Sequence, residues 1–593
     1  MTQPLLAQFE RPTEQLTERE ICNELLALRN QDSESLGEQE RTELDAEILA
    51  FDFREKEPCR ERDEANFFLP ASTFTDANGR PVTNPDRADV TPDVHNYWAG
   101  RATSTDNPIL AFRYAGLVWE FAKEVTGSSA DIRYARLLID SAARIAREKL
   151  HRQETSIISK LGFALSVAQS IRDRDRIQML CHVIVDYECD IAELNKPGLW
   201  GFAFNYLVED KRVQPPDSLV QRIIADLEGK LKAIQEEAGK DFNPFSADAA
   251  AQRLARYYRR SGKPDEVKRV LNVYRDTYLQ AADETSALVG SAWLQKVYGV
   301  LLPFGLRSEA EEVSIKLREL GRKGRDELAH VSHDMEIPAE EFDKFLDGMV
   351  AGDVETALTR FVDHFIPIRD QVERQVKELA ESHPLLSIFG TTLVDGDGRP
   401  KANVGSVEHD LDGNIAKLTA QNMGFTAIFV RRTVEKLREK FELTSDDLMA
   451  FLYRSPILPS DRRSIVSEGL TAYLEENWSV AMHLLIPQIE ATLRRLIELS
   501  GGATWKLGRN GAFMLKNFED LLRDERAARA LGADAVHYLR VLFTDQRGWN
   551  LRNAVCHGIV PETAFCAPHA DRVVHALLFF ALIREGAAPS DPI

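Results

Sequence analysis

Apolar residues recur three and four positions apart through most of the chain, the spacing that gathers them on one side of an α-helix. Residues 1–65 show it in TEREICNELLALRN and ERTELDAEILAFDF, and read as an acidic, solvated helical region. The pattern lapses over 66–110, where FLPASTFTDANGRPVTNPDRADVTPD is dense in Pro, Gly, Asn, Asp and Thr and predicts a loop-rich connector. From 111 to 365 helix follows helix with short breaks. AAAQRLARYYRRSGKPDEVKRVLNVYRDTYLQ has the layout of a helical hairpin turning at SGKPDE, and SAWLQKVYGVLLPFGLRSEAEEVSIKLREL repeats that layout about 40 residues on. RYAGLVWEFAKEVTGSSADIRYARLLIDSAARIARE and KLGFALSVAQSIRDRDRIQMLCHVIVDY read as earlier, degenerate copies. The expectation is an irregular α-solenoid-like array. The copies share layout rather than a signature, so a non-repetitive helical domain fits the same pattern.

Residues 366–470 read as a connecting region. TTLVDGDGRPKANVG places Asp-Gly twice between β-formers, which predicts a β-hairpin near 390–405. Its DGDG and the later DLDGN suggest calcium loops, but an EF-hand needs glutamate at the twelfth position, where Ser406 and Gln421 stand. Residues 471–586 predict a four-helix bundle, with pieces at about 470–500, 512–530, 533–557 and 568–585. Leu485, Ile489, Leu493 and Leu496 form the apolar stripe of the first piece, and Pro487 marks a kink or restart in it. The fold class is therefore all-α with one minor hairpin.

A length of 593 residues exceeds what one core organises. The longest apolar stretch, VVHALLFFALI, falls well short of the ~20 residues of a membrane span and reads as a buried helix. The opening residues carry acids where a secretory signal has bases. Six cysteines (Cys22, Cys59, Cys181, Cys189, Cys556, Cys566) without framework spacing fit a reducing compartment, and the expected location is cytoplasmic. A net charge of −20 argues against a generic nucleic-acid binder, yet the charge is uneven. Residues 1–65 carry 18 acids against 8 bases, whereas 478–585 carry 13 bases against 11 acids. An anion would bind most readily near the C-terminus.

One run there combines suitable chemistry. In NLRNAVCHG, Gly558 can take the left-handed conformation that ends a helix, and Pro561 cannot continue it. Asn553 and His557 are four apart and share a face, with Arg552 one residue round and long enough to reach the same space. A guanidinium grips phosphate oxygens and stabilises charge as it builds. An imidazole moves a proton near neutral pH, and an amide orients either partner. The same residues also suit plain helix capping at a bundle edge.

Arg552-Asn553-x-x-x-His557-Gly558 within a small helical bundle resembles the signature of the HEPN superfamily (higher eukaryotes and prokaryotes nucleotide-binding domains). The longer form of the motif resembles a domain of unknown function that also occurs in the endoplasmic-reticulum-membrane-associated RNA degradation protein. The likeness covers about the last 120 residues. It implies a metal-independent ribonuclease, with Arg552, Asn553 and His557 as its active site and a homodimer that lines one cleft with two motifs. A setting in antiviral defence or stress is also implied. Glu490 and Arg494 match a Glu-x-x-x-Lys/Arg pair that often borders that cleft, although an i,i+4 salt bridge explains them equally. Members modified by nucleotide transfer carry Tyr two residues after the His, where this chain has Ile559.

Cys556, His557, Cys566 and His569 have zinc-ligand residue types, but adjacent Cys556 and His557 point to different faces, and no metal or cofactor is expected. The leading reading is an endoribonuclease with RNA as substrate, its helical array holding a protein or small-molecule trigger. The other readings are a silent helical scaffold that dimerises and a nucleotide-binding module without cleavage.

Overall fold

The computed structural model describes residues 9–10, 16–31, 37–57, 66–75, 80–236, 242–329, 336–396, 398–508 and 511–584. Helix accounts for 71% of it and strand for 5%, the strands forming small antiparallel pairs, so the chain is mostly α-helical as expected. It divides into two compact units, 1–317 and 318–593. Among the described residues no helix is long and apolar enough to cross a membrane. The five described cysteines are free thiols, and Cys59 lies outside the described residues.

In the first unit, successive helices pack on one another, among them Pro108–Thr126 on Ile132–Glu148 and Pro244–Arg260 on Pro264–Asp283. The second pair is the helical hairpin expected from SGKPDE. Gly262 turns the chain at φ +66, and Pro264 opens the next helix, where its missing N–H costs no bond. The loop-rich connector holds more order than its composition suggests. Ser72–Thr75 pairs with Pro81–Asn84, and Thr91 caps a helix over Pro92–Ser104 through a bond from the Val94 N–H. The acidic helices Glu18–Gln31 and Glu38–Asp52 are not simply solvated. Lys160, whose side chain is 0% exposed, sits between Glu18 (2.7 Å) and Glu55 (2.5 Å). Buried Arg113 donates to the carbonyl of Ala50 (2.8 Å) and to Glu55 (3.3 Å), and Arg101 meets buried Glu47 at 2.8 Å.

The hydrophobic core of the second unit runs from Met349 to Ala581 and does not begin at residue 471. Its centre is the helix Ala567–Phe579, buried continuously from Ala570 onward, as expected of VVHALLFFALI. Fully buried Arg572 donates to the carbonyls of Phe365 (3.0 Å) and Met423 (3.4 Å) and to the Thr426 hydroxyl (2.6 Å). His575 reaches the Val362 carbonyl at 3.1 Å. The long helix Trp478–Leu499 lies along this core through the predicted stripe and continues past Pro487 without a break. The expected hairpin is Thr391–Val394 with Pro400–Val404. A second hairpin, Trp505–Leu507 with Phe513–Leu515, and the short helices Phe518–Leu522 and Glu525–Leu531 replace the predicted single helix over 512–530.

Candidate functional site

The continuous helix expected over 533–557 is two helices, Ala533–Phe543 and Leu551–Cys556, separated by residues 544–550. Local polar bonds outweigh the apolar spacing here. The Asp545 carboxylate accepts from the Arg547 backbone N–H (2.9 Å) and from its Nε (2.9 Å) and Nη2 (2.8 Å), closing a tight turn. The Trp549 N–H then folds back onto the carbonyl of Val541 at 2.9 Å. Gly548 lies so close to that strand of backbone that a β-carbon would stand 2.3 Å from the Val541 oxygen. Asn550 takes the left-handed conformation at φ +54, which asparagine tolerates better than most residues, and the next helix starts from it.

The turn is buttressed from outside. Arg540 and Arg547 each reach Asp412 at 2.9 Å, Lys401 donates to the Gly548 carbonyl (2.7 Å), and the Trp549 indole to that of Ala420 (3.1 Å). Burial pushes the Asp412 carboxyl up, but bonds and charge from the two arginines outweigh it and hold it at about 2. Asp412, in the DLDGN run, is thus committed to arginine. None of these partners was picked out from the sequence. Asp545-x-Arg547 and Gly548 are its only local signals, and Asp412 is too distant in the chain to suggest itself.

On this support Leu551 and Val555 anchor the short helix in the core, and Arg552 and Asn553 lie half-buried beside them. Arg552 Nε donates to Glu490 Oε2 at 3.0 Å, and its Nη1 to Asn553 Oδ1 at 3.2 Å. Arg552 Nη2 makes no hydrogen bond to the described residues. Glu490 also accepts from Arg494 Nη2 at 3.0 Å through its other oxygen. Glu490 and Arg494 thus form the i,i+4 salt bridge, and Glu490 also touches Arg552. Arg494 Nη2 donates further, to the Lys516 carbonyl (2.9 Å) at the foot of the second hairpin. The Asn553 amide N–H is spent on the turn, bonding Asn550 Oδ1 (2.7 Å) and the Thr544 carbonyl (3.4 Å). Asn553 is thus a positioning residue that ties Arg552 to residues 544–550.

His557 caps the helix. Its ring is exposed and makes no hydrogen bond to the described residues. Gly558, at φ +64, closes the helix as expected, with its own N–H on Val555 (3.1 Å) and that of Ile559 on Ala554 (3.0 Å). The structure brings Arg552, Asn553, Glu490 and Arg494 into one bonded chain and leaves His557 open to solvent at its end. Burial pushes the neighbouring Cys556 thiol up despite the Arg552 charge, so Cys556 is no ready thiolate. His569 bonds the Ala564 carbonyl (2.7 Å) and packs its ring on Trp549. Among the described residues no three His, Cys, Asp or Glu side chains gather as a metal site.

The first unit has a separate cavity of about 550 Å³, bordered by Phe67, Phe163, Gln169, Asn205, Tyr206 and Arg212. Phe67 and Phe163 stack at 4.2 Å, and Asn205 and Tyr206 come from a six-residue π-helix. The cavity holds no histidine, and Arg212 is paired with Asp210 at 2.7 Å, so its lining suits binding more than proton transfer. Comparison of the chain with protein-family models, with curated proteins and with solved structures finds no match.

Proposed function

We propose that the second unit is a metal-independent endoribonuclease whose active site comprises Arg552 and His557, positioned by Asn553 and Glu490. The observation that carries this reading is an exposed imidazole, without a hydrogen bond to the described residues, five positions on from a guanidinium that a carboxylate clamps from another helix. A structural corner would bury both groups and bond them to backbone. Among the described residues Arg552 bonds only side chains and keeps Nη2 uncommitted, and the His557 ring makes no hydrogen bond. The bonded chain makes Arg552 a preorganised anion donor, which is where electrostatic catalysis draws most of its effect.

In this reading the ribose 2′-hydroxyl of the substrate attacks the adjacent phosphorus and the 5′-oxygen leaves, giving a 2′,3′-cyclic phosphate and a 5′-hydroxyl. His557 takes the 2′ proton as it is lost, and an imidazolium delivers one to the 5′-oxygen. Arg552 offsets the charge growing on the non-bridging oxygens. One exposed histidine serves one proton transfer, so a homodimer that places two motifs on one phosphodiester completes the reaction. A four-helix arrangement of the HEPN kind around residues 471–586, a repeat-like helical array before it and a role in defence or stress belong to the same proposal by resemblance.

The test is incubation of the full chain with a mixed RNA pool in EDTA, followed by mapping of the cut ends. Cyclic-phosphate ends that disappear in His557→Ala and Arg552→Ala, with folding unchanged, are expected; each change should cost orders of magnitude in rate. Cleavage that persists in the double variant, or that requires a divalent ion, would refute the assignment and return the motif to the scaffold reading.

A further inference from the structure

The cavity of the first unit has a wall built to hold its shape. Its volume, about 550 Å³, falls within the roughly 300–1,000 Å³ of small-molecule sites. Asn205 and Tyr206 stand on the π-helix Phe204–Glu209, a rare backbone form found frequently at functional sites. Buried Glu188 fixes the chain just before it by accepting from the Ala203 N–H at 2.6 Å. The neighbouring helix, Glu154–Ser170, carries Gly162, Phe163 and Gln169. A β-carbon on Gly162 would stand 2.7 Å from Tyr206, so glycine is what lets that ring lie against the helix. There the Tyr206 hydroxyl donates to the Ile158 carbonyl at 3.3 Å.

The groups on that wall define what would fit. Asn205 Oδ1 accepts from Arg253 Nε at 3.1 Å, and because a guanidinium only donates, the amide cannot be turned round. Its NH₂ end is therefore the one that lines the cavity. Gln169 brings a second amide donor. Its Nε2 is buried and completes no hydrogen bond to the described residues, although the side chain adds last to the lowering of the Asp210 carboxyl, for which Arg212 is the first cause. A buried donor without an acceptor is costly, and native structures keep few of them. Charge is spent elsewhere: Asp210 and Arg212 pair at 2.7 Å, the Arg212 side chain is 75% exposed, and Lys56 is engaged as well. A flat apolar surface completes the lining. Phe67 and Phe163 stack in parallel at 4.2 Å; Phe67 is buried, and Phe163 is the ring that keeps accessible area. A further flat ring can extend that stack.

We infer that this cavity binds an uncharged flat heterocycle with hydrogen-bond acceptors along one edge, the chemistry of a nucleobase or nucleoside. The ring lies on Phe163, and its carbonyl oxygens or ring nitrogens accept from the Asn205 and Gln169 amides. A phosphate is not what the lining recognises, because its cations already have partners. The inference concerns the first unit alone and does not rest on the ribonuclease reading.

The test is calorimetric titration of the full chain with uridine, cytidine, adenosine and guanosine, and with their four 5′-monophosphates. At least one nucleoside is expected to bind with a Kd of about 1 mM or tighter, and its monophosphate no more than about tenfold tighter than that. Three variants, each checked for folding by circular dichroism, place the ligand. Asn205→Asp keeps the bond to Arg253 but exchanges the donor for an acceptor, and Phe163→Leu keeps bulk but removes the ring face; each should weaken binding at least about tenfold. Gln169→Met removes the unbonded donor at similar length. It should weaken binding while raising the melting temperature of the free protein, a combination that a purely structural glutamine would not give. Should Asn205→Asp fail to fold, the other two variants decide. The assignment is overturned if all four nucleosides bind more weakly than about 1 mM, or if the folded variants keep full affinity. A monophosphate held more than about tenfold tighter than its nucleoside would also overturn it, since the phosphate would then be the recognised group.

Discussion

The bond between Glu490 and Arg552 is the contact on which the site's geometry depends, and its strength can be worked out. Two unit charges about 4 Å apart attract by about 4 kcal/mol at the effective dielectric of a protein surface. The side chains are 22% and 17% exposed, so water screens them only in part. Desolvation takes back about half, leaving about 2 kcal/mol, within the range for charge-assisted hydrogen bonds. A double-mutant cycle of Glu490→Gln and Arg552→Met isolates this coupling from what each group does elsewhere. The readout should be local, because a chain of two units need not unfold in one step. Native-state hydrogen exchange at the His557, Gly558 and Ile559 amides, which close the short helix, reports its opening. Each single change should speed exchange there by roughly 30-fold, and the double change by little more than either. A coupling below about 0.5 kcal/mol would show that Glu490 does not hold Arg552 in solution, and the preorganised donor would go with it.

Other substitutions test the turn and the core. Gly558→Ala meets open space and should cost only the left-handed backbone, about 1 kcal/mol, whereas Gly548→Ala drives a β-carbon against Val541 and should cost clearly more; the order of their melting temperatures decides. Burial lowers His575 to about 3, and burial with the Arg369 and Arg540 charges lowers His537 to about 4, so unfolded chains take up these protons first below about pH 6.5. Asp571 opposes them: burial raises it to about 6 despite Tyr473 and Arg431, so it gains stability as pH falls through that value. From pH 6.5 to 5 the histidines lose roughly 1.6 kcal/mol each and Asp571 returns about 1.2, a net loss of about 2 that exchange at the 570–579 amides should register; flat protection would refute the assignment. Deleting residues 1–65 strips Lys160 and Arg113 of their carboxylate partners and should unfold the first unit, at about 3–5 kcal/mol for each broken buried pair. The excess of acids in residues 1–65 should repel an RNA, so Glu24→Gln/Glu38→Gln, at exposed positions, should leave the cleavage rate equal or higher.

What could be read from the sequence was local. Gly558 as a helix end, the stripe on Trp478–Leu499, the Glu490–Arg494 spacing and the Asp-Gly hairpin each depend on residues a few positions apart. The break at 544–550 was hidden because Val541, Leu542, Leu551 and Val555 continue a helical rhythm across it, while the forces that bend the chain are polar. Asp412 with Arg540 and Arg547, and Glu490 with Arg552, join residues far apart in sequence, and no periodicity reports such pairs. The exposed rings of the second hairpin were missed for the opposite reason. Trp505, Leu507, Phe513 and Leu515 look like core residues in any hydrophobic pattern, and only the fold reveals that they are exposed.

Arg572 gives the second unit an unusual indivisibility. Its guanidinium lies in the middle of the last long helix and finds its acceptors on Phe365, Met423 and Thr426, all upstream of the stretch whose motif resembles a known module. A fragment cut to the apparent edges of that module, or grafted onto another protein at residue 471, would carry a permanent cation into an apolar interior with no acceptor to meet it. The motif is therefore not portable in this chain: the segment from about 349 onward travels whole or does not fold, and swaps that respect the sequence signature alone would break on a charge that the signature does not contain.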